Sequence, residues 1–346
     1  MSNKPPIEVP QGAIRFNTDS QKLEFFAQDR WYEMATDVPT LDGGARGLTS
    51  GFYNSDTSGA TNEIDYITIE TQGNAIDFGD LIAITHDGGA LASRTRYCHT
   101  GGSRNGSNSV TIDFVTIAST GDAQDFGDIE PDQWRYGMGL STQTRFVIAG
   151  GATTPAGQSD MIQSVEIASQ GNTVDSGGNL VGGDRQAGSS CCSPTRGVIA
   201  GGYTPEALNI IEFITMSTLG NSQDFGDTSS NTNTELGTCS STTRGIIKIA
   251  TDGTPATQVD KIELATLGNS VNFGDANAIR TSGRSAGSVS SSNLRAIFMS
   301  GYYPGVNGAT DMEYMNITTG GDTVDFGDLN YSARAGTGIS NNHGGL

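Results

Sequence analysis

The chain has 346 residues, a formal net charge of −19 and charged residues at only 16%, which excludes nucleic acid and anionic membrane as the main partner, because both recruit cationic surfaces. No apolar run approaches the roughly 18 residues that span a bilayer, and the opening MSNKPPIEVP lacks the apolar core of a secretory signal. Neither membrane insertion nor export by the usual route is therefore expected.

Residues 1–42 differ in pattern from all that follows. Pro5, Pro6 and Pro10 suit an extended lead-in. The run GAIRFNTDSQKLEFFAQDRWYEM predicts a three-stranded meander with turns at 17–21 and 27–29. Two or three strands alone are marginally stable. This segment carries Phe16, Phe25, Phe26, Trp31 and Tyr32, so it is expected to pack against a neighbouring copy, a partner protein or the rest of the chain.

From residue 43 onward two markers repeat. An Arg opens an apolar run at Arg46, Arg96, Arg145, Arg196, Arg244 and Arg295, in steps of 50, 49, 51, 48 and 51 residues. A Phe-Gly-Asp closes the unit at Phe78, Phe126, Phe225, Phe273 and Phe326, and Ser176-Gly177-Gly178 holds the third place. Two unrelated markers that keep one period of about 50 residues indicate tandem repeats. The 48 glycines, which could signal disorder by number, recur at fixed turn and strand-end positions and are read as structural.

Each copy reads as four strands. In the fourth copy, 186–193 is a run of small residues, 197–202 an apolar run stopped by glycines, 210–217 an alternating strand, and 222–227 a strand after the turn at 219–221. No helical periodicity is present. Four strands per fifty residues describe a propeller blade, with the small-residue strand innermost where the blades crowd. The first repeat lacks that strand, and a spare one stands at 333–340 after the last repeat. The expectation is an all-β, six-bladed β-propeller over 43–346, closed by the C-terminal strand, because an open array would leave bare edges.

Most chemical motifs fail on inspection. Asp-Phe-Gly occurs four times without a Gly-rich nucleotide loop or a His-Arg-Asp segment, so a kinase is excluded. The Gly-Gly pairs end strands and do not open helices, which excludes phosphate loops. Cys98, Cys191, Cys192 and Cys239 show no framework spacing and are read as buried free thiols. His86, His99 and His343 fall far apart, and no Ser/His/Asp arrangement stands out. No cofactor or metal is expected. The repeated acids Asp77, Asp125, Asp175, Asp224 and Asp325, with Asp80, Asp128, Asp227, Asp275 and Asp328, could ligate calcium, but the preferred reading is structural. Their side chains are expected to bond turn amides and to pair with the repeat Arg.

Topology then locates binding. The turns between strands one and two and between three and four fall on one face and stay short. Loops 53–62, 103–109, 152–160, 203–209, 251–258 and 302–310, with the links 129–135 and 329–334, fall on the other and differ between copies. They carry Tyr53, Trp134, Tyr203, Tyr302, Tyr303 and Tyr331, the candidate ligand-binding residues, since exposed aromatics suit carbohydrate or protein contact.

Two stretches resemble known families. GAIRFNTDSQKLEFFAQDRWYEM resembles the short G-x-I/L-R-F/Y-N-T/S-D…K-L-E-x-F/Y…W module of structural and fibre proteins of tailed phages. The repeats R-G-V/I-I-A-G-G-Y…D-F-G-D resemble kelch-like propeller repeats in virion proteins of marine and cyanobacterial phages. Departures are Ser176 for Phe in the third repeat and Ile249-Ala250 for Gly-Gly in the fifth. The resemblance implies a non-enzymatic virion structural protein, a fibre, tail or head-decoration component. Its N-terminal segment would join other virion proteins in a multi-copy assembly, and its propeller would contact a host-surface glycan or protein. The alternatives are a polysaccharide-degrading propeller enzyme, which convergent acids in the channel would favour, and a cellular kelch-type adaptor, which the N-terminus disfavours.

Overall fold

The structure is a computed structural model that describes residues 9–17, 22–33, 45–130, 133–154, 157–233, 239–250, 256–276, 288–301 and 308–346. It contains 33 strands, all paired antiparallel, and no helix among the described residues. The chain divides into two compact units, 1–41 and 42–346.

The first unit is a meander of Ile14–Asn17, Lys22–Ala27 and Arg30–Glu33. The second hairpin turns through Gln28 and Asp29, both with positive φ (48° and 60°), the geometry a two-residue turn needs to match strand twist. Register puts Ile14 opposite Phe25 and Phe16 opposite Leu23, so these four apolar side chains share one face and are exposed. The other face is held by Arg15, which bonds Glu24 at 2.7 Å and stacks on Trp31 at 4.1 Å. Hydrogen bonds from Asn17 and then Arg15 hold the Glu24 carboxyl below its ordinary value.

The second unit repeats one strand order, four strands in five of the copies and three among the described residues of the fifth, where Ser240 makes a single bridge to Gly245. In the fourth copy Ser189–Cys192 pairs with Arg196–Ala200, which pairs with Glu206–Thr215, which pairs with Gln223–Thr232. The third strand thus begins before residue 210, where the sequence places it. The innermost strands Gly89–Ala92, Met138–Ser141, Ser189–Cys192 and Thr337–Ser340 are wholly buried. Where these strands approach one another small residues are required, whereas Leu91, Leu140 and Ile339 enter the apolar clusters. A Cβ on Gly139 would fall 2.5 Å from the Ala90 carbonyl of the preceding copy. The spare strand Thr337–Ser340 pairs with Arg46–Ser50, so the start and finish of the repeat region share one sheet.

The two sequence markers keep step because they meet through an aromatic ring. Arg46 lies over Tyr66 (4.9 Å), which stands edge-on to Phe78 (5.9 Å). The same stack recurs as Arg96–Phe114–Phe126, Arg196–Phe213–Phe225 and Arg295–Tyr314–Phe326. In the fifth copy Lys261 replaces the middle ring, and both Arg244 and Lys261 lie over Phe273. In the third copy Ser164 and Ser176 replace both rings, and Arg145 bonds Glu166 at 2.8 Å.

The repeat Arg does not pair with the closing Asp, which corrects the sequence expectation. Each guanidinium reaches a backbone carbonyl just past the third strand of the next copy. Arg46 reaches Ile117 (2.8 Å), Arg145 reaches Met216 (3.0 Å), Arg196 reaches Leu264 (2.9 Å) and Arg244 reaches Ile317 (3.0 Å), with Arg96 on Ile167. Arg295 of the last copy reaches Ile69 of the first, at 3.0 Å. Carbonyls past a strand end have no ladder partner, and the cation satisfies them. Most of the motif's acids stay exposed at the outer edge, where charge discourages stray strand pairing.

The Phe-Gly-Asp motif makes the second link between copies. The Phe78 carbonyl accepts the Gly121 N–H (2.8 Å), and the Asp80 N–H meets Asp122 Oδ1 (3.1 Å). Equivalent bonds join Asp128 to Asn172, Asn179 to Asn221, Asp227 to Asn269 and Asp275 to Asp322. The last joins Asp328 to Asn74 of the first copy, at 3.1 Å. The motif's glycine permits that approach. Gly327 has φ +146°, and a Cβ there would lie 2.4 Å from the Gly73 carbonyl. In the third copy Gly178, not Gly177, holds this position, because an extra residue replaces the single Phe. Apolar residues then fill the space between neighbouring sheets. One cluster joins Phe52 and Ile67 of the first copy to Ile297, Met312 and Phe326 of the last.

Candidate binding surface

The sequence-predicted aromatics do not form one cluster. Trp134 is a core residue, only 2% exposed, and its reading as a surface contact is wrong. Its indole packs where Gly137 and Gly151 leave room, since a Cβ at either would fall 2.6 or 2.2 Å from Nε1. Tyr203 is half-buried, in a short strand whose backbone exchanges hydrogen bonds with Gln186. Tyr331 stands edge-on to Phe52 at 6.0 Å, and burial pushes its phenol up. Tyr302 and Tyr303 lie outside the described residues.

Tyr53 is the exception, and it has company. Register places it directly opposite Arg334, whose guanidinium lies 4.5 Å from the centre of the tyrosine ring. His86 meets the same ring edge-on at 6.0 Å and bonds Asp87 through Nδ1 at 2.8 Å. Arg135 stacks on Tyr136 in the same way (4.7 Å). Tyr53, His86, Arg334, Arg135 and Tyr136 are all partly exposed at the loop end of the sheets. A flat ring, two guanidinium groups and an imidazole–carboxylate pair offer stacking plus donors and an acceptor, a set that suits polyhydroxylated ligands.

Sequence reasoning misses Arg334, Asp87, Arg135 and Tyr136, and treats His86 as a stray histidine. A signal exists in the repeat alignment. His86-Asp87-Gly88, Arg135-Tyr136-Gly137, Gln186-Ala187-Gly188 and Arg334-Ala335-Gly336 occupy one position before the innermost strand. The middle residue has a φ of 57–61° in all four. Backbone bonds run along this row, from Asp87 to Ala335, Tyr136 to Asp87 and Ala187 to Tyr136. The cavity beneath, lined by Gly88, Tyr136, Gly137, Ala187, Gly188 and Thr337 among others, measures about 10 Å³. That is room for one water at most.

The other two histidines and all four cysteines are buried. Ser50 Oγ lies 3.1 Å from His99 Nδ1 and 2.6 Å from the Tyr97 hydroxyl. The His99 ring fills the gap between Gly51 and Gly88 and is fully buried, which pulls it down to about 3. It is neutral and out of reach of substrate, so the pair is not a nucleophile and base. All four cysteines are free and buried, with Cys239 pushed up to about 12 by burial and Cys98 and Cys191 pushed up likewise. Such thiols are inert. Among the described residues no group of three His, Cys, Asp or Glu could hold a metal ion.

A row of buried polar residues also escapes the sequence reading. Asp65, Asp113, Gln163, Glu212, Asp260 and Glu313 occupy one position in the third strands, and each is at most 5% exposed. Three bond the hydroxyl of their own copy's turn, at Thr173, Ser270 and Thr323. The turn residue is alanine in the first two copies, where the acid goes elsewhere: Asp113 to Arg104 (2.6 Å) and Asp65 to Asn330 of the last copy (2.9 Å). Glu212 pairs with the fully buried Arg185. Burial raises Asp65 to about 6. Asp65, Asp113 and Asp260 also accept bonds from a neighbouring copy, from Asn330, the Ile82 N–H and the Ser229 N–H, and all six stay buried. No protein-family model matches the chain, and no curated protein sequence matches it.

Proposed function

We propose that residues 43–346 form a six-bladed β-propeller and that the protein is a non-enzymatic phage virion component. The propeller contacts a host-surface glycan through its loop face, and residues 1–42 attach it to other virion proteins. The ring reading is supported by three independent links that run from each copy to the next and return from the last to the first. These are the arginine–carbonyl bonds, the Asp-amide–Asx bonds and the shared apolar clusters. The virion reading rests on the resemblance of the N-terminal module and the repeats. The exposed apolar face of Ile14, Phe16, Leu23 and Phe25 fits an element that acquires its cover on assembly.

The observation that carries the binding reading is the Tyr53–Arg334–His86 cluster, which spans the meeting of first and last copies. Binding of the intact protein to host-surface glycan, and of its Tyr53→Ala and Arg334→Ala variants, tests it. Loss of binding at least tenfold in both variants is expected. Unchanged binding in both overturns the site, binding only to a host protein overturns the glycan, and release of oligosaccharides overturns the non-enzymatic reading.

A further inference from the structure

Residues 341–346, Asn-Asn-His-Gly-Gly-Leu, leave the strand Thr337–Ser340 and cross the ends of the innermost strands. Asn341 exchanges bonds with Arg46, its Oδ1 accepting the Arg46 N–H at 2.9 Å and its own N–H donating to the Arg46 carbonyl at 3.2 Å. Just before it, Ser340 Oγ donates to the Ser291 carbonyl. His343 is fully buried. Its Nε2 donates to the Ala92 carbonyl (3.1 Å), and Nδ1 accepts the Gly345 N–H (3.1 Å). The Gly344 N–H reaches the Ser240 carbonyl at 2.9 Å. Residues 340–346 thus reach the first, second, fifth and sixth copies by hydrogen bonds, and they pack closely against the third and fourth.

The fit excludes larger side chains. A Cβ on Gly344 would fall 2.0 Å from the Ser241 carbonyl and 2.4 Å from that of Cys192. One on Gly345 would fall 2.0 Å from the Ser141 carbonyl. The copies repeat, so their innermost strands bring equivalent carbonyls to one place. Such a convergence of acceptors needs donors. The His343 imidazole N–H and the Gly344 amide supply two of them, to Ala92 and Ser240, while serine hydroxyls serve others, Ser240 Oγ donating to the Cys192 carbonyl and Ser291 Oγ to that of Ser240. Burial pulls His343 down to about 4, so the ring is neutral and its Nδ1 is able to accept.

We infer that the meeting point of the innermost strands is a peptide-binding socket whose ligand is a glycine-glycine segment preceded by an imidazole donor, filled by the chain's own residues 341–346. This goes beyond the glycan reading and stands or falls separately from it. The segment closes the turn side of the meeting point.

Hydrogen exchange of the full-length protein, beside Gly344→Val, tests the inference. The wild-type amides of Gly344, Gly345 and Leu346 should exchange at least about tenfold more slowly than in the free peptide. Gly344→Val should release them, and a labelled peptide Asn-Asn-His-Gly-Gly-Leu should then bind that variant but not the wild type. A peptide with Val at the fourth place should bind neither. If Gly344→Val does not fold, His343→Ala replaces it, with faster exchange confined to 343–346 expected. Wild-type amides exchanging at free-peptide rates, unchanged protection in the folded variant, or a released tail whose socket ignores the peptide would each overturn the inference.

Discussion

The outer rim and the loop end of the same sheets solve opposite problems. At the rim the same bonds recur copy after copy: an Asx oxygen on the closing amide, a glycine against a neighbour's backbone, an arginine on an orphan carbonyl. At the loop end each copy differs. Tyr53 meets Arg334 and His86, Trp134 is swallowed by the core, and Tyr203 pairs its backbone with Gln186. Repetition therefore marks what holds copies together, and departure from it marks what is free to vary. Aromatic content alone does not tell the two apart.

Trp134→Ala draws that line most sharply. A large buried ring removed from the core costs about 3–5 kcal/mol, read as a fall in the denaturant midpoint. A loss below about 1 kcal/mol would return Trp134 to the surface.

The buried acids give the next largest effect. Asp65 has its folded value raised from 3.8 to about 6, chiefly by burial. A raised acid binds more protons in the folded state, so stability is greatest below the unfolded value. It falls as pH rises from about 4 to 6 and is level above. The contribution is of the order of 2–3 kcal/mol, since each pKa unit is about 1.4 kcal/mol. Asp113 is also raised and adds slope of the same sign, whereas Glu24 and Glu263 are lowered and add the opposite. The measurement is therefore the wild-type stability minus that of Asp65→Asn across this window. That difference should decline with pH; a flat difference would show Asp65 ionising freely.

Within the rim, the arginine stack can be separated from the arginine bond. Arg96 and Arg145 both reach a neighbour's carbonyl, but only Arg96 lies over an aromatic ring. Arg96→Ala should cost about 1–2 kcal/mol in thermal or chemical unfolding, and Arg145→Ala about 0.5 kcal/mol less. Equal losses would mean the ring contributes no more than the half-exposed Glu166 pair and the second carbonyl, Ser217, that Arg145 holds instead. Smallest of all, Tyr53→Ala should change stability by under about 1 kcal/mol while weakening ligand binding at least about tenfold.

Much of the architecture is legible because strand formation is local. The fifty-residue period, the four strands, the small-residue innermost strand and a spare strand within 333–340 need only periodicity and turn residues, though 333 and 334 prove to end the preceding strand and the spare one begins at 337. Partners in space are not legible. Sequence matches the Arg to the Asp that shares its period, yet its acceptor is a carbonyl about seventy residues away, which carries no sequence mark. Trp134 reads as exposed because the glycines that house it, Gly137 and Gly151, look like any others in a chain rich in them. Tyr53 is visible in the sequence but Arg334 is not, since their proximity depends on how the first and last copies meet.

That meeting carries the account. Cysteines at Asn74 and Asp328, treated with a short bismaleimide on the folded protein, test it most directly, because all four natural cysteines are buried. A pair at Asp80 and Asp122 provides the comparison between ordinary neighbours. The proposed ring predicts an intramolecular cross-link in both pairs at similar yield, seen as a compact monomer band on a denaturing gel. Cross-linking of the Asp80/Asp122 pair but not of the Asn74/Asp328 pair would contradict it.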